Sequence, residues 1–196
     1  MLERIQNIKQ KFNKLFFMIF YKRSLGSFGK KSSIIFPFRI NGAKYVQIDK
    51  KVHISGFSWI LALKHEGQEP IVKIGSETRI ARFLHLVALQ KIEIADNVLI
   101  AEKVYISDNC HSFDNIDIPI KKQEVKFIKE VSIGSNAWIG EGVSIIGASV
   151  GERSVIGANS VVLSDIPDYC VAVGSPAKVI KRYNQVSRKW EKVSEE

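Results

Sequence analysis

Three features of the chain predict an all-β fold, a solenoid of short strands wound on three faces. Aliphatic residues recur every six positions along most of its length. A small residue directly follows most of them, and a second modest side chain follows four positions after. The longer breaks in this spacing share one phase of the repeat.

The sixfold rhythm runs through Ile48, Ile54 and Ile60, then Ile74, Ile80 and Leu86, then Ile94, Ile100 and Ile106. It resumes at Ile133, Ile139 and Ile145 and continues at Val150, Ile156 and Val162. Gly75, Ala81, Ala95, Gly134, Gly140 and Gly157 fill the slot after the aliphatic, where a small residue lets the chain turn. Thr78, Val98, Val104, Cys110, Ala137 and Ser154 fill the slot four after, pointing inward. This period matches neither a helix face nor hairpin alternation. It suits strands that turn a corner every six residues, three to a coil of about eighteen, burying their faces only by stacking. Handedness is not contained in the spacing.

With Ile74 on the first face, Ile80 on the second and Leu86 on the third, an insertion from Lys64 to Pro70 follows third-face Ile60. Two extra residues follow Leu86, and the longest insertion, 112–126, follows Ile106. One edge of the prism thus carries the loops, where a binding cleft is expected. The shortened step from Ile145 to Val150 is assigned to another corner, as a tightened turn.

The 196 residues fit one domain, with 45% hydrophobic residues and a net charge of +9. That charge favours anionic partners. The basic residues are scattered and no stacking-aromatic RNA motif occurs, so no nucleic acid is expected. The two cysteines, Cys110 and Cys170, lack metal spacing and read as cytoplasmic thiols. Cys110 reads as buried filler. No metal is expected, since His53, His65, His85 and His111 do not converge by spacing. Residues 1–30 are expected to form an amphipathic helical segment. Its apolar run from Leu15 to Tyr21, flanked by basic clusters, is too short to cross a bilayer and suited either to packing on protein or to peripheral inner-membrane contact through residues 1–24. The solenoid is assigned to 31–183 and a C-terminal helix or tail to 184–196.

The stretches SIGSNAWIGEGVSI, SVGERSVIGANSVVLSDIP and VAVGSPAKVIKRY resemble the C-terminal half of hexapeptide-repeat acyltransferases, the group containing galactoside, maltose and xenobiotic O-acetyltransferases. YISDNCHSFDNIDIPIKKQ is similar to members that acetylate bacterial surface polysaccharides. The resemblance runs from about Ile48 to Arg182. It implies a left-handed parallel β-helix, a homotrimer with sites between subunits, acetyl-CoA as cosubstrate and a carbohydrate acceptor.

The resemblance makes His111 the general base that deprotonates the acceptor, a task suited to imidazole near neutral pH. Asp108 or Asp114 could orient the ring. His85, Tyr105 and Trp138 are read as falling five after a second-face aliphatic, hence as one column at a corner. Trp138 matches an acceptor-site tryptophan, and Arg82 a polar acceptor-binding position. In the composite site so implied, His111 comes from one chain and Arg82, His85 and Trp138 from the next. Lys178, Lys181 and Arg182 match or adjoin positions that hold coenzyme phosphates. Gly140 and Ala158 match contacts of the pantetheine arm, and Gly174 begins the turn beside the nucleotide. A Pro-Gly step common in the family is replaced by IIGASV, and Ser164 stands where relatives have lysine. The competing functions are N-acetylation of an amino sugar nucleotide and a non-catalytic assembly module.

Overall fold

The structure is a computed structural model that describes Phe12, Phe17 and residues 19–193. The chain winds as a three-sided parallel solenoid. The first sheet stacks Ser27–Phe28, Val46–Ile48, Ile71–Ile74, Lys91–Ile94 and Val131–Ile133. The second begins with Ser33–Ile34, His53–Ile54, Arg79–Ile80, Leu99–Ile100, Trp138–Ile139 and Val155–Ile156. The third holds Phe38–Asn41, Ser58–Ala62, His85–Ala88, Tyr105–Ser107, Ser144–Ile146 and Val161–Val162. Each strand pairs in parallel with the same face of the neighbouring coil, and like aliphatics stack: Ile74 on Ile94 on Ile133, and Ile80 on Ile100 on Ile139.

These aliphatics make the core. Ile74, Ile80, Leu86, Ile94, Ile100, Ile106, Ile139 and Ile145 are each fully buried. Burying one such side chain contributes about 1.5–3 kcal/mol, against an ordering cost of about 1–2 kcal/mol for each residue of the step. Of the modest residues four after the aliphatics, Thr78, Val98, Val104, Ala137 and Ser154 are also buried; the Thr78 hydroxyl donates to the Ala95 carbonyl at 2.9 Å.

The turning residue is not the small one. At two corners the chain turns at the third position after the aliphatic, with left-handed backbone at Lys51, Glu77, Asn97 and Asn136, and at Phe57, Phe83, Lys103 and Asn159. The small slot serves close stacking: a Cβ on Gly75 would lie 2.5 Å from the Ala95 carbonyl carbon of the adjoining coil.

The irregular lengths do share one edge, from third face to first. The shortened step belongs there too, correcting its assignment to another corner. Val150 bridges to Ile133 of the first face, and Gly147 takes a positive φ of 56° to close the step. The first coil begins at Ser27, ahead of the expected boundary at 31, because Ser27–Phe28 already pairs with Gln47–Ile48.

The expected C-terminal helix over 184–196 is absent from the described residues. Cys170–Gly174, Ala177–Asn184 and Lys189–Lys192 form an antiparallel meander that prolongs the second sheet. Strand Ala177–Asn184 alternates half-buried and exposed positions, the period of a strand packed on one side. Its edge is then capped by pairing Tyr183 with Trp190. The N-terminal segment expected over 1–30 lies mostly outside the described residues. Phe17 is buried against Phe28 and Phe38, with centroids 5.1 and 5.4 Å apart, and covers the end of the core. No helix among the described residues is long and apolar enough to cross a membrane.

Candidate active site

The longest insertion is anchored by a buried carboxylate. Asp108 is fully buried and accepts from the N–H groups of Leu89, Gln90 and Lys91 at 2.8–3.1 Å, and from Asn109 Nδ2 at 2.7 Å. It thus clamps the third-to-first corner of the preceding coil. Asp108 is therefore a structural anchor, and it does not orient His111. Asp114 does not either, being ion-paired with Lys126 inside the loop. That pairing holds the Asp114 carboxyl below its usual range and raises Lys126.

Beyond Asp108 the chain leaves the solenoid as a strand, Asn109–His111, paired antiparallel with Val125–Phe127. His111 sits opposite Val125, and the Ser112 N–H donates to the Glu124 carbonyl at 2.8 Å. The histidine therefore stands on a braced stem rather than in the free part of the loop. Its ring has no hydrogen bond among the described residues. Cys110, expected as buried filler, is only half-buried, because the inward position has passed to Asp108.

His111 opens on a cavity of about 570 Å³ between the third sheet and the two loops, lined also by Trp59, His65, His85, Cys110 and Tyr105. The outward side chains of the third sheet stack along it. The Arg39 guanidinium lies 4.8 Å from the Trp59 ring centroid, Trp59 lies 4.6 Å from His85, and His85 lies 5.2 Å from Tyr105. The His85 Nε2 is buried without a hydrogen-bond partner, and burial lowers the pKa of this imidazole.

The structure separates the other candidates. His85 shares a cavity with His111 in the same chain, although the composite reading puts the two on different chains. Trp138 does not belong to the His85–Tyr105 column. Ile133, five before it, lies on the first sheet, so Trp138 stands half-exposed on the second, between Leu99 and Val155. The third member of the column is Trp59, five after Ile54, a position that the same count could have found. His65 is the other omission; it comes from the first insertion, whose conformation no periodicity encodes. Arg82 stands at the second-to-third corner, paired with Glu102 at 2.9 Å, outside the cavity. Gly140 and Ala158 adjoin at that corner on successive coils. A Cβ on Gly140 would lie 2.7 Å from the Ala158 nitrogen, so coil stacking alone already demands glycine there.

Gly174, at a φ of 105°, opens the hairpin turn to Ala177. Lys178 pairs with Val173 and Lys181 with Val171, and a register shift falls between 171 and 172. Directly opposed residues share a face, so the register sets Lys178 and Lys181 on one side of the strand, Lys178 exposed and Lys181 half-buried. Arg182, opposite buried Cys170, starts from the other side.

No family model matches the chain. A Mycobacterium tuberculosis protein named as an acetyltransferase is 40% identical over 148 residues, covering 74% of this chain and 46% of that protein. The Escherichia coli protein WbbJ, named as a lipopolysaccharide biosynthesis O-acetyl transferase, is 34% identical over 129 residues, covering 62% and 66%. The chain thus spans about half to two thirds of the length of these relatives. Among solved structures, the hexapeptide-repeat acetyltransferase VCA0836 of Vibrio cholerae, complexed with acetyl-CoA, superposes with a TM-score of 0.61 at 26% identity, covering 84% and 74%. This chain belongs to the hexapeptide-repeat acyltransferases. Its solenoid is the left-handed parallel β-helix. A second relative in structure is a point mutant of the Bacillus cereus N-acyltransferase AntD, solved with dTDP-4-amino-4,6-dideoxyglucose and coenzyme A. It has a TM-score of 0.71 at 25% identity, covering 85% and 89%.

Proposed function

We propose that the chain transfers an acetyl group from acetyl-CoA to a sugar hydroxyl of a bacterial surface polysaccharide or its lipid-linked precursor, with His111 as general base. The observation that carries this reading is the unpaired His111 imidazole, held on a braced stem beside an aromatic-lined cavity. A free ring nitrogen can take the proton of a bound hydroxyl as its oxygen attacks the thioester carbonyl. The tetrahedral adduct then expels coenzyme A as thiolate, which recovers that proton from the imidazolium. Tyr105 offers an aromatic face to the C–H face of a sugar, while Trp59, stacked between Arg39 and His85, presents its edge to the cavity. Lys178 and Lys181, set on one side of the strand by its register, suit the phosphates of the coenzyme, and Gly140, Ala158 and Gly174 its arm and nucleotide turn. The identity to WbbJ supports an O-linked polysaccharide acceptor.

The chain is further assigned to the cytoplasmic side of the inner membrane, working as a homotrimer with sites between copies. Phe12, Ile19 and Phe20, exposed at 59–67%, suit contact with an anionic leaflet. The likeness to AntD favours a second reading, acylation of an amino sugar nucleotide.

The test is labelled acetyl-CoA turnover against a panel of sugar and amino sugar acceptors. The wild type is expected to label a hydroxyl acceptor, and His111→Ala to lose about 10²–10⁴-fold in rate. Full turnover by His111→Ala would overturn the assignment, and preference for an amine would select the second reading.

A further inference from the structure

We propose that a cleft at the corner between the first and second sheets is a non-catalytic saccharide site, which holds the glycan chain of the acceptor at a distance from the unit that is acetylated. The cleft and the chemistry of its guest are argued from the structure; that the guest is the acceptor rests on the proposed function.

The cleft has a volume of about 560 Å³, within the range of small-molecule sites, and is lined by Asn136, Arg153, Tyr169, Tyr183, Gln185 and Trp190. The first three are the turning residues of the last three coils at this corner, all with left-handed backbone. Asparagine takes that conformation readily, whereas a residue as bulky as Tyr169, at a φ of 56°, rarely does. The other three come from the C-terminal meander, which is fixed to the corner by the Tyr183 N–H donating to the Tyr169 carbonyl at 2.9 Å.

In a three-sided solenoid this corner stands opposite the third sheet. The cleft is therefore separate from the His111 cavity at the third-to-first edge, and from Gly140 and Ala158 at the second-to-third corner. The Gly174 turn lies at the far end of strand Cys170–Gly174 from Tyr169.

The lining suits a neutral sugar. Trp190 is 42% exposed, and its ring meets that of Tyr183 at 68° with centroids 5.5 Å apart, so the two form a bent wall. Such a wall packs against the C–H face of a sugar. The Asn136 and Gln185 amides and the Tyr169 and Tyr183 hydroxyls hold no side-chain hydrogen bond among the described residues. Together they offer both donors and acceptors, as sugar hydroxyls require. Arg153 lies 3.4 Å from Glu152, so its charge is matched, which favours a neutral glycan over a phosphate-bearing ligand. The strand that carries Trp190 points the same way. All four residues of Lys189–Lys192 are exposed, so the strand adds little to the core, and what it does add is a wall of the cleft.

The first sheet separates the cleft from the His111 edge. Its four-residue strands span about 13 Å, and Lys73, Lys91, Glu93 and Ser132 alternate with its buried positions. A hydrated glycan crosses such a polar surface without desolvating apolar groups. The acceptor is then an oligomer long enough to reach both sites, and its hold on the cleft raises the local concentration of the unit beside His111.

Titration calorimetry with linear oligosaccharides of glucose, galactose, rhamnose and N-acetylglucosamine, each tried at several lengths, tests this. The wild type is expected to bind at least one of them, and His111→Ala to bind it equally well. Trp190→Ala, and separately Arg153→Asn, a residue suited to the left-handed backbone, are expected to bind it about tenfold more weakly with an unchanged far-UV spectrum. If Trp190→Ala loses that spectrum, Arg153→Asn gives the reading. No binding by the wild type, or full binding by the folded variants, would overturn the proposal. Binding that the two variants weaken, in a protein that transfers no acetyl group, would uphold the cleft and count against the proposed function alone.

Discussion

The His85 imidazole lies flat on the Trp59 indole, with centroids 4.6 Å apart and planes within 6° of parallel. The stack desolvates the imidazole and lowers its pKa below the ordinary 6.5. An unfolded His85 therefore binds more protons than a folded one as the pH drops below 6.5. Its contribution to stability is present above that value and lost between it and the lowered folded value. His85→Phe, which keeps the stack, is expected to lose less melting temperature than the wild type between pH 7 and pH 5. Parallel pH profiles of the two proteins would refute this.

Asp108 closes a corner through three backbone N–H groups and one side-chain amide. Asp108→Ala leaves those donors buried and unmatched, at about 1–3 kcal/mol for each one not reached by water. A loss of several kcal/mol in urea unfolding is expected. Asp108→Asn, which retains one acceptor oxygen, should lose less. A loss below about 1 kcal/mol in Asp108→Ala would show that the clamp is dispensable.

Trp138 is half-exposed and outside the buried core. Trp138→Ala should therefore change stability by no more than about 0.5 kcal/mol. If its indole meets the acceptor across the subunit joint, KM for the acceptor rises several-fold while KM for acetyl-CoA is unchanged. An unaltered acceptor KM removes Trp138 from the site.

The register of the C-terminal meander distinguishes its three cations. Lys178→Ala and Lys181→Ala together are expected to raise KM for acetyl-CoA, more steeply at low salt, where phosphate attraction is least screened. Arg182→Ala should have the smaller effect. Equal effects in initial-rate assays would deny the facing that the strand register implies.

The solenoid is legible because one side-chain rule repeats in every coil, so Ile74, Ile94 and Ile133 can be stacked by counting. Counting fails where the chain departs from the rule. The phase of Ile133 misleads for Trp138, which falls on another face, and Trp59 is passed over at the same count. The C-terminal strands alternate at period two over a few residues, a weak signal beside a charged tail. Asp108 cannot be foreseen as an anchor, because its partners are backbone amides that the fold alone brings to it. His111 is legible from its neighbouring residues, but its brace, Val125, lies across a loop whose path no pattern encodes.

Every departure from six-residue spacing described for the repeats after Ile60 sits along the third-to-first edge, and the ladders on all three sides continue in register past it. The molecule therefore behaves as a chassis with a single upgrade bay. Segments exchanged there reshape which guest the cleft admits, and the rest of the architecture need not be renegotiated.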